Sequence, residues 1–561
     1  MDYDLKVRGA TIVDGTGAPG AVGDVAVAGG RIAAVGDAPG EAREVIDGDG
    51  LVVAPGFVDI HTHYDAQVLW DPMLTVSPWH GVTSVVMGNC GFSIAPSRPE
   101  HHSLVVRTLE NVEGMSVEAL ETGLGEQWGF ESFAEYLDVL DARPKAINVA
   151  SMIGHTAVRL YVLGEEATER PATVEEVARM RAVVADALRA GAAGFASSRS
   201  PTHVGYSGKP VPSRVGASDE VMILAQALAD AGRGVFQATV GADLLFDQFA
   251  EITRTTGRPV TWTALLGSPL GPGTHRPLLE RAEAMFAEGL AVRPQVACRP
   301  LMFEFQFASP FILESLPAFK PVSAADREGK KRIYADPAWR DQLRNTTGGL
   351  GASGMWERMT IAVCPTDPSL EERLVSDVAA ERGVDPVDLA LDTALASDLE
   401  ARFRFAVANY DESEVEELLR SRAGVLGLSD AGAHASQLCD ACFSTHLLGH
   451  WVRERGSLPI EEAVRKMTSE PADLFGLSDR GRLAPGLAAD LVVFDPATVG
   501  AGPLRRVWDL PAGADRLVAD AVGIEAVIVN GTPVRRSGTD VVDPGGPLPG
   551  RVLRSGAGAR A

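Results

Sequence analysis

Residues 56–96 read GFVDIHTHYDAQVLWDPMLTVSPWHGVTSVVMGNCGFSIAP, and the rest of the chain is best understood outward from them. An apolar run, residues 51–54 and then 56–60, leads directly into His61-Thr62-His63. In an extended strand, residues i and i+2 face the same side, so the imidazoles of His61 and His63 project together from the end of a buried strand. Neutral imidazole is a ligand for zinc and similar ions. A second apolar strand, residues 83–87, ends in Gly88-Asn89-Cys90-Gly91. Cys90 therefore sits at the C-terminal end of the next strand, where its thiolate can meet the same ion. A His-x-His alone is weak evidence; joined to a cysteine at the neighbouring strand end, it marks a candidate metal site.

Around this stretch, apolar β-type runs alternate with helical patterns, the rhythm of a parallel βα barrel. Candidate strands end at His63 and Cys90, and lie near 146–149, 193–196, 234–237, 260–263, 291–294 and 424–428. That makes eight, and the active sites of such barrels lie at the C-terminal strand ends. Residues 174–190 predict a helix with Val177, Met180, Val184 and Leu188 inward and Glu175, Glu176, Arg179 and Arg181 on polar positions. Both ends of the chain read instead as short strands and Gly-rich turns. The fold class expected is α/β: a (β/α)8 TIM-like barrel with a small β-sandwich domain formed by both chain ends. Its parts are residues 1–54 and 483–540 for the β-sandwich domain and 55–482 for the barrel. A subdomain inserted around 299–422 lies over the barrel mouth, and 541–561 form a flexible tail rich in Gly, Pro and Arg.

The chain has 561 residues and a formal net charge of -24, from 75 acidic against 51 basic residues. That field repels nucleic acid and anionic membranes, so neither is an expected partner. No apolar run reaches the length of a transmembrane helix, and the first residues carry no basic region followed by an apolar core. Five scattered cysteines show no framework spacing, which fits a reducing cytoplasm. Cys439 and Cys442 form a lone CxxC, read as packing for want of a second pair.

PGFVDIHTHYDAQ together with GNCGFSIAP resembles the amidohydrolase superfamily, in its N-acyl-D-amino-acid deacylase (D-aminoacylase) branch. GRLAPGLAADLVVFDP and VIVNG, beginning at residues 481 and 527, resemble that family's C-terminal signature, so the resemblance covers nearly the whole chain. It implies a hydrolase of C–N bonds other than peptide bonds that uses Zn2+ and acts on a small-molecule amide. It also implies that Asp430, in Leu428-Ser429-Asp430-Ala431-Gly432-Ala433-His434, takes the proton from the attacking water and returns it to the leaving amine. A carboxylate within hydrogen-bond reach suits that task. The alternative for an Asp here is a helix N-cap, which Ser429-Asp430 before a Gly also suits.

The resemblance has departures. The family pattern carries a His at the end of the fifth strand and another at the end of the sixth. Here those strands read Val235-Phe236-Gln237-Ala238-Thr239 and Val260-Thr261-Trp262-Thr263, without His. The family's Lys and Arg that hold the substrate carboxylate are not visible, nor is the fourth-strand Lys that bridges two metals in many relatives. What survives is His61, His63, Cys90 and Asp430, which suit one Zn2+ per chain. The thiolate and carboxylate cancel the charge of the ion, so such a site acidifies water less than three histidines would.

Other polar residues are candidates for the same pocket. Gly154-His155-Thr156-Ala157-Val158-Arg159 resembles the family's GHxxxR segment; His155 could polarise the scissile carbonyl and Arg159 pair with an anionic group. Arg199 is a second candidate carboxylate partner, His203 a substitute metal ligand or substrate contact, and His434 a ligand, acid or substrate contact. His446 and His450 have metal-pair spacing but are expected to be packed. Without the lost Lys and Arg, N-acetyl-D-amino acids are expected to be poor substrates unless Arg159 or Arg199 substitutes. The aromatic-rich piece 302–307 favours a larger or more apolar group. The competing readings are a cyclic-amide hydrolase of the dihydropyrimidinase type and a degenerate barrel that binds a small molecule without hydrolysing it. Self-association into a homo-oligomer is left open.

Overall fold

Eight parallel strands carry the alternation read from the sequence in the computed structural model, which describes residues 2–125, 128–205, 208–314, 316–345 and 354–555. They are β1 (Phe57–Asp59), β2 (Val82–Met87), β3 (Asn148–Ser151, continued beyond Met152 by Ile153–Gly154), β4 (Gly194–Ser198), β5 (Val235–Thr239), β6 (Val260–Thr263), β7 (Val292–Val296) and β8 (Val425–Leu426). Neighbours pair in parallel from β1 to β3 and from the end of β3 to β8. The ring closes between β8 and β1: Asp430 N–H donates to His61 O at 3.1 Å and His63 N–H donates to Ala431 O at 2.7 Å. Strands buried on both faces need near-continuous apolar sequence, and every residue of β2 and β6 is buried.

Helices cover the outside. Val174–Ala190 is the clearest, entered by a Thr173/Glu176 capping box and closed by Gly191 in the left-handed region at φ 111°. Met180, Val184 and Leu188 are buried in it as its periodicity predicts, with Val177 half-buried.

The two chain ends meet in one sheet. Val52–Pro55 pairs antiparallel with Leu491–Phe494, Leu491 opposite Pro55 and Val493 opposite Val53. Tyr3–Ile12 bends this sheet around its own core, pairing with Ala42–Asp47 over its first part and with Val52–Pro55 at its end. Leu5, Val7, Val53, Leu491, Val493 and Ile528 meet inside.

Three segments differ from the sequence expectation. The insertion over the mouth has a four-stranded antiparallel sheet (Leu301–Gln306, Arg402–Ala408, Thr360–Val363, Arg373–Leu374) and a separate aromatic core that includes Phe305, Phe307, Tyr334 and Trp339. It ends before 412 rather than at 422, because Glu412–Arg420 buries Val415, Leu418 and Leu419 in the barrel core. The hairpin Gly500–Val507 and Arg516–Val522 leaves the terminal sheet and packs on the barrel, where Leu517 N–H donates to Ala435 O at 2.7 Å.

The third difference is the tail. Residues 543–555 are not a loose end; they run beneath the barrel, with Leu553 N–H on Val149 O at 2.7 Å and Ser555 N–H on Gly191 O at 3.0 Å. Residues 556–561 of the expected tail lie outside the described residues. Composition alone does not reveal such backbone pairing. Asn148 ties the pieces together: its amide donates to Thr83 O at 2.9 Å and Asp490 Oδ2 at 3.0 Å, and its Oδ1 accepts from Asn530 Nδ2 at 2.8 Å and Arg551 N at 3.1 Å. Asp490 also pairs with Arg480. Barrel, terminal sheet and tail thus share one buried polar joint.

Each buried group left unsatisfied costs about 1–3 kcal/mol, so Asn148→Leu is expected to destabilise the protein by about 3 kcal/mol or more. Urea unfolding, or the rate of thermal inactivation where unfolding is irreversible, checks this. A loss below about 1 kcal/mol would show that the joint does not hold these parts together.

Candidate metal centre and active site

The end of β1 aims both histidines at the barrel mouth. Thr62, between them, turns away and donates from its hydroxyl to Val86 O at 2.9 Å on β2. His61 Nδ1–H donates to Gln295 Oε1 of β7 at 2.6 Å. That fixes the tautomer and leaves the Nε2 lone pair directed into the site.

Cys90 is delivered by a tight turn. Its own φ is 56°, between Gly88 at 82° and Gly91 at 77°. A Cβ on Gly88 would lie 2.2 Å from Met152 O, so only glycine lets this turn sit against β3. Gln237 of β5 fixes the turn from the other side, its Oε1 accepting from Cys90 N–H at 2.7 Å.

The donor atoms of His61, His63 and Cys90 lie within 4.8 Å of one another. Cys90 Sγ is 3.4 Å from His61 Nε2. Asp430 Oδ1 lies 3.2 Å from His61 Nε2 and 3.7 Å from His63 Nε2. No helix starts at Asp430, the next beginning at Phe443, so the N-cap alternative does not apply. Asp430 instead adopts φ 48° in the loop that closes the barrel. Gly432 is needed beside it, since a Cβ there would fall 2.7 Å from the His63 carbonyl.

Electrostatics at this cluster favour the ionised forms of Cys90 and Asp430; burial of His61 opposes its protonation, but those two anions outweigh it and raise His61 above its ordinary value. Burial alone would raise the Cys90 thiol, but the neighbouring His61 and His63 overcome it and bring it down to about 6. Burial likewise opposes ionisation of Asp430, and the hydrogen bond from His63 with the charges of His61, His63 and His434 holds it well below the usual carboxylate range. Asp59, buried behind the site, is pushed up to about 7 by desolvation despite hydrogen bonds from Ser429 and His61 N–H. Two imidazoles and a thiolate within 4.8 Å of one another, with the Asp430 carboxylate against both imidazoles, form a donor set that fits one zinc ion.

A cavity of about 490 Å3 opens from this cluster, and His203 and His434 both line it. His203 Nδ1 hydrogen-bonds Ser198 Oγ at 2.7 Å, and its ring lies 5.2 Å from that of Phe92. It is outside the three-donor group.

Three expected pocket residues are engaged elsewhere, which corrects their roles. His155 is fully buried, accepting from Ser197 Oγ at 2.9 Å and donating to Glu220 Oε1 at 2.8 Å. Arg159 donates to both oxygens of the same Glu220 at 2.6 Å. The GHxxxR segment therefore clamps helix His155–Leu163 to helix Ser218–Ala231, and neither side chain lines the cavity. Arg199 spends its guanidinium on the carbonyls of Ser213, Gly216 and Ala217 at 2.7–3.0 Å, holding a loop. His446 and His450 stack at 5.0 Å, and burial lowers His446 to about 3; they too are outside the cavity. Cys442 Sγ donates to Cys439 O at 3.3 Å within packed surroundings, as expected of the CxxC.

Four supporting residues were not singled out from sequence. Gln237 and Gln295 anchor Cys90 and His61, and a glutamine inside an apolar strand is itself a signal that a partner exists. At the register-paired ends of β5 and β6 stand Thr239 and Thr263, whose hydroxyls lie 3.3 Å apart and which line the cavity.

The chain is similar to known proteins along nearly its whole length. A model described as the amidohydrolase family matches residues 44–535. D-aminoacylase of Alcaligenes xylosoxydans xylosoxydans is 31% identical over 95% of this chain and 94% of its own. A solved D-aminoacylase, described as having a binuclear metal centre, superposes with a TM-score of 0.67 at 29% identity, covering 98% of this chain and all of the other. N-acyl-D-glutamate deacylase of Bordetella bronchiseptica, solved with zinc and a phosphonate mimic of the tetrahedral intermediate, gives 0.67 at 28% identity over 99% of this chain and 100% of its own.

Two variants test the donor set. His61→Ala with His63→Ala should abolish tight zinc binding, measured by elemental analysis after dialysis. Gln295→Leu keeps every donor but frees the His61 ring, and is expected to weaken zinc affinity about 10- to 100-fold in a chelator competition. Unchanged affinity in Gln295→Leu would show that the tautomer is set by something else.

Proposed function

The chain belongs to the amidohydrolase family, and from that membership we propose that it is a zinc-dependent hydrolase of the C–N bond in an N-acylated amino acid or related amide. The convergence of His61, His63, Cys90 and Asp430 at the mouth of the barrel is the observation that carries this reading. Zinc, when bound there, would polarise the scissile carbonyl and acidify the attacking water, though less than at a three-histidine site.

The chain's own residues do the rest. His61, oriented by Gln295, and His63, once released from its hydrogen bond to Asp430, would present imidazole lone pairs to the ion, and Cys90 a thiolate. Asp430 is ionised at neutral pH and accepts the proton of the attacking water at its carboxylate. As the C–N bond breaks, the same carboxyl returns that proton to the departing nitrogen, so the products are a carboxylate and an amine. Thr239 and Thr263 occupy the far side of the site with hydroxyls in place of imidazoles, and β4 ends in Ser197-Ser198 without a lysine. These residues support one zinc per chain rather than two. No helix among the described residues is long and apolar enough to cross a membrane, and the five cysteines are free and buried, which supports a reducing cytoplasmic setting.

Asp430→Asn preserves shape and removes the base. It should keep about one zinc per chain by elemental analysis while kcat falls roughly 10³-fold. Full activity with zinc retained would assign the proton transfer to another group, His434 being next in position.

A further inference from the structure

Resting on the amide-hydrolase reading, we propose that the substrate is an uncharged amide that carries a bulky apolar group, best an aryl ring, and no carboxylate. The cavity lining has two characters: His61, His63, Cys90 and Asp430 supply the donor groups, and Leu266, Leu301, Phe303, Phe311 and Val407 supply an apolar wall. The cavity volume of about 490 Å3 is within the range of sites for small organic ligands.

Charge excludes a carboxylate. Among the described residues, no Lys or Arg lines the cavity. The arginines nearest in sequence to its motifs are committed: Arg159 to Glu220, Arg199 to backbone carbonyls. Arg299 is paired at 2.8 Å with Asp440, itself a lining residue. Asp440 is balanced by Arg299, so the anionic groups that face the cavity without a Lys or Arg partner are the Asp430 carboxylate and the Cys90 thiolate. A substrate carboxylate would lose water without gaining a cation and would meet like charge.

The apolar wall has aromatic geometry. Phe303 stands edge-on to Phe311 at 6.0 Å and 76°, and to His434 at 5.6 Å and 86°. All three side chains face the cavity. A ring entering between them gains edge-to-face contacts as well as apolar burial. Phe303 and Phe311 come from the insertion and His434 from the loop of the general base, so the group that binds here lies beside the reacting bond.

A matched pair tests this. N-acetyl-D-phenylalanine and N-(2-phenylethyl)acetamide share the acyl group and the ring and differ by the carboxylate. With zinc-loaded protein, kcat/KM for the neutral amide should exceed that for the acid by about 100-fold or more. Phe303→Ala should cost the neutral amide about tenfold, through KM. Equal rates, or preference for the acid, would overturn the proposal. If neither compound is hydrolysed, the amide-hydrolase reading fails, and calorimetric binding decides the substrate class separately. Binding of N-(2-phenylethyl)acetamide without N-acetyl-D-phenylalanine supports it; binding of neither, or of the acid more tightly, overturns it.

Discussion

The site depends on the seam where the last barrel strand meets the first. Two backbone hydrogen bonds, Asp430 to His61 and Ala431 to His63, join segments more than 360 residues apart in sequence. They also set the Asp430 carboxylate against the two imidazoles. Register is what matters: a strand slipped by one residue would turn its side chains to the opposite face. Gly432 guards that register, because any side chain there would strike the His63 carbonyl. The strained φ values of Leu428, Asp430 and His434 cluster in this one loop, as strain does where surrounding structure over-determines a functional geometry.

Much of this was legible because the signals are local. His61 and His63 share a strand, Cys90 closes the next one, and helix Val174–Ala190 carries its caps and its apolar stripe within its own sequence. What failed to read were pairings set by distance. Nothing near Arg159 reveals that Glu220 waits for it, and nothing near Arg199 reveals the carbonyls it holds. A buried arginine beside a pocket motif looks like a substrate clamp until its partner is seen. Gln237 and Gln295 show the converse: they look like odd polar residues in apolar strands and prove to fix two metal-site residues.

The two sides of the barrel mouth have diverged in character. The β1–β2 side keeps imidazole and thiolate, while the β5–β6 side presents paired threonine hydroxyls. The donor cluster on the first side is what the proposed zinc chemistry rests on, while the second side offers hydroxyls without imidazole. The insertion adds the remaining wall from outside the barrel, with its own aromatic core. The donor cluster therefore comes from the barrel, and much of the apolar lining comes from an added layer that can vary without disturbing it.

The terminal sheet also has a consequence for how the protein is made. Val52–Pro55 emerges early, yet its partner Leu491–Phe494 is synthesised only after the whole barrel. At typical translation rates that is a wait on the order of 20–90 s. During it, an apolar strand edge stays open on the nascent chain, a template for wrong pairing. The barrel base is in the same position until residues 543–555 arrive to cover it. The order of synthesis thus leaves the growing chain with open apolar edges that the finished fold no longer has.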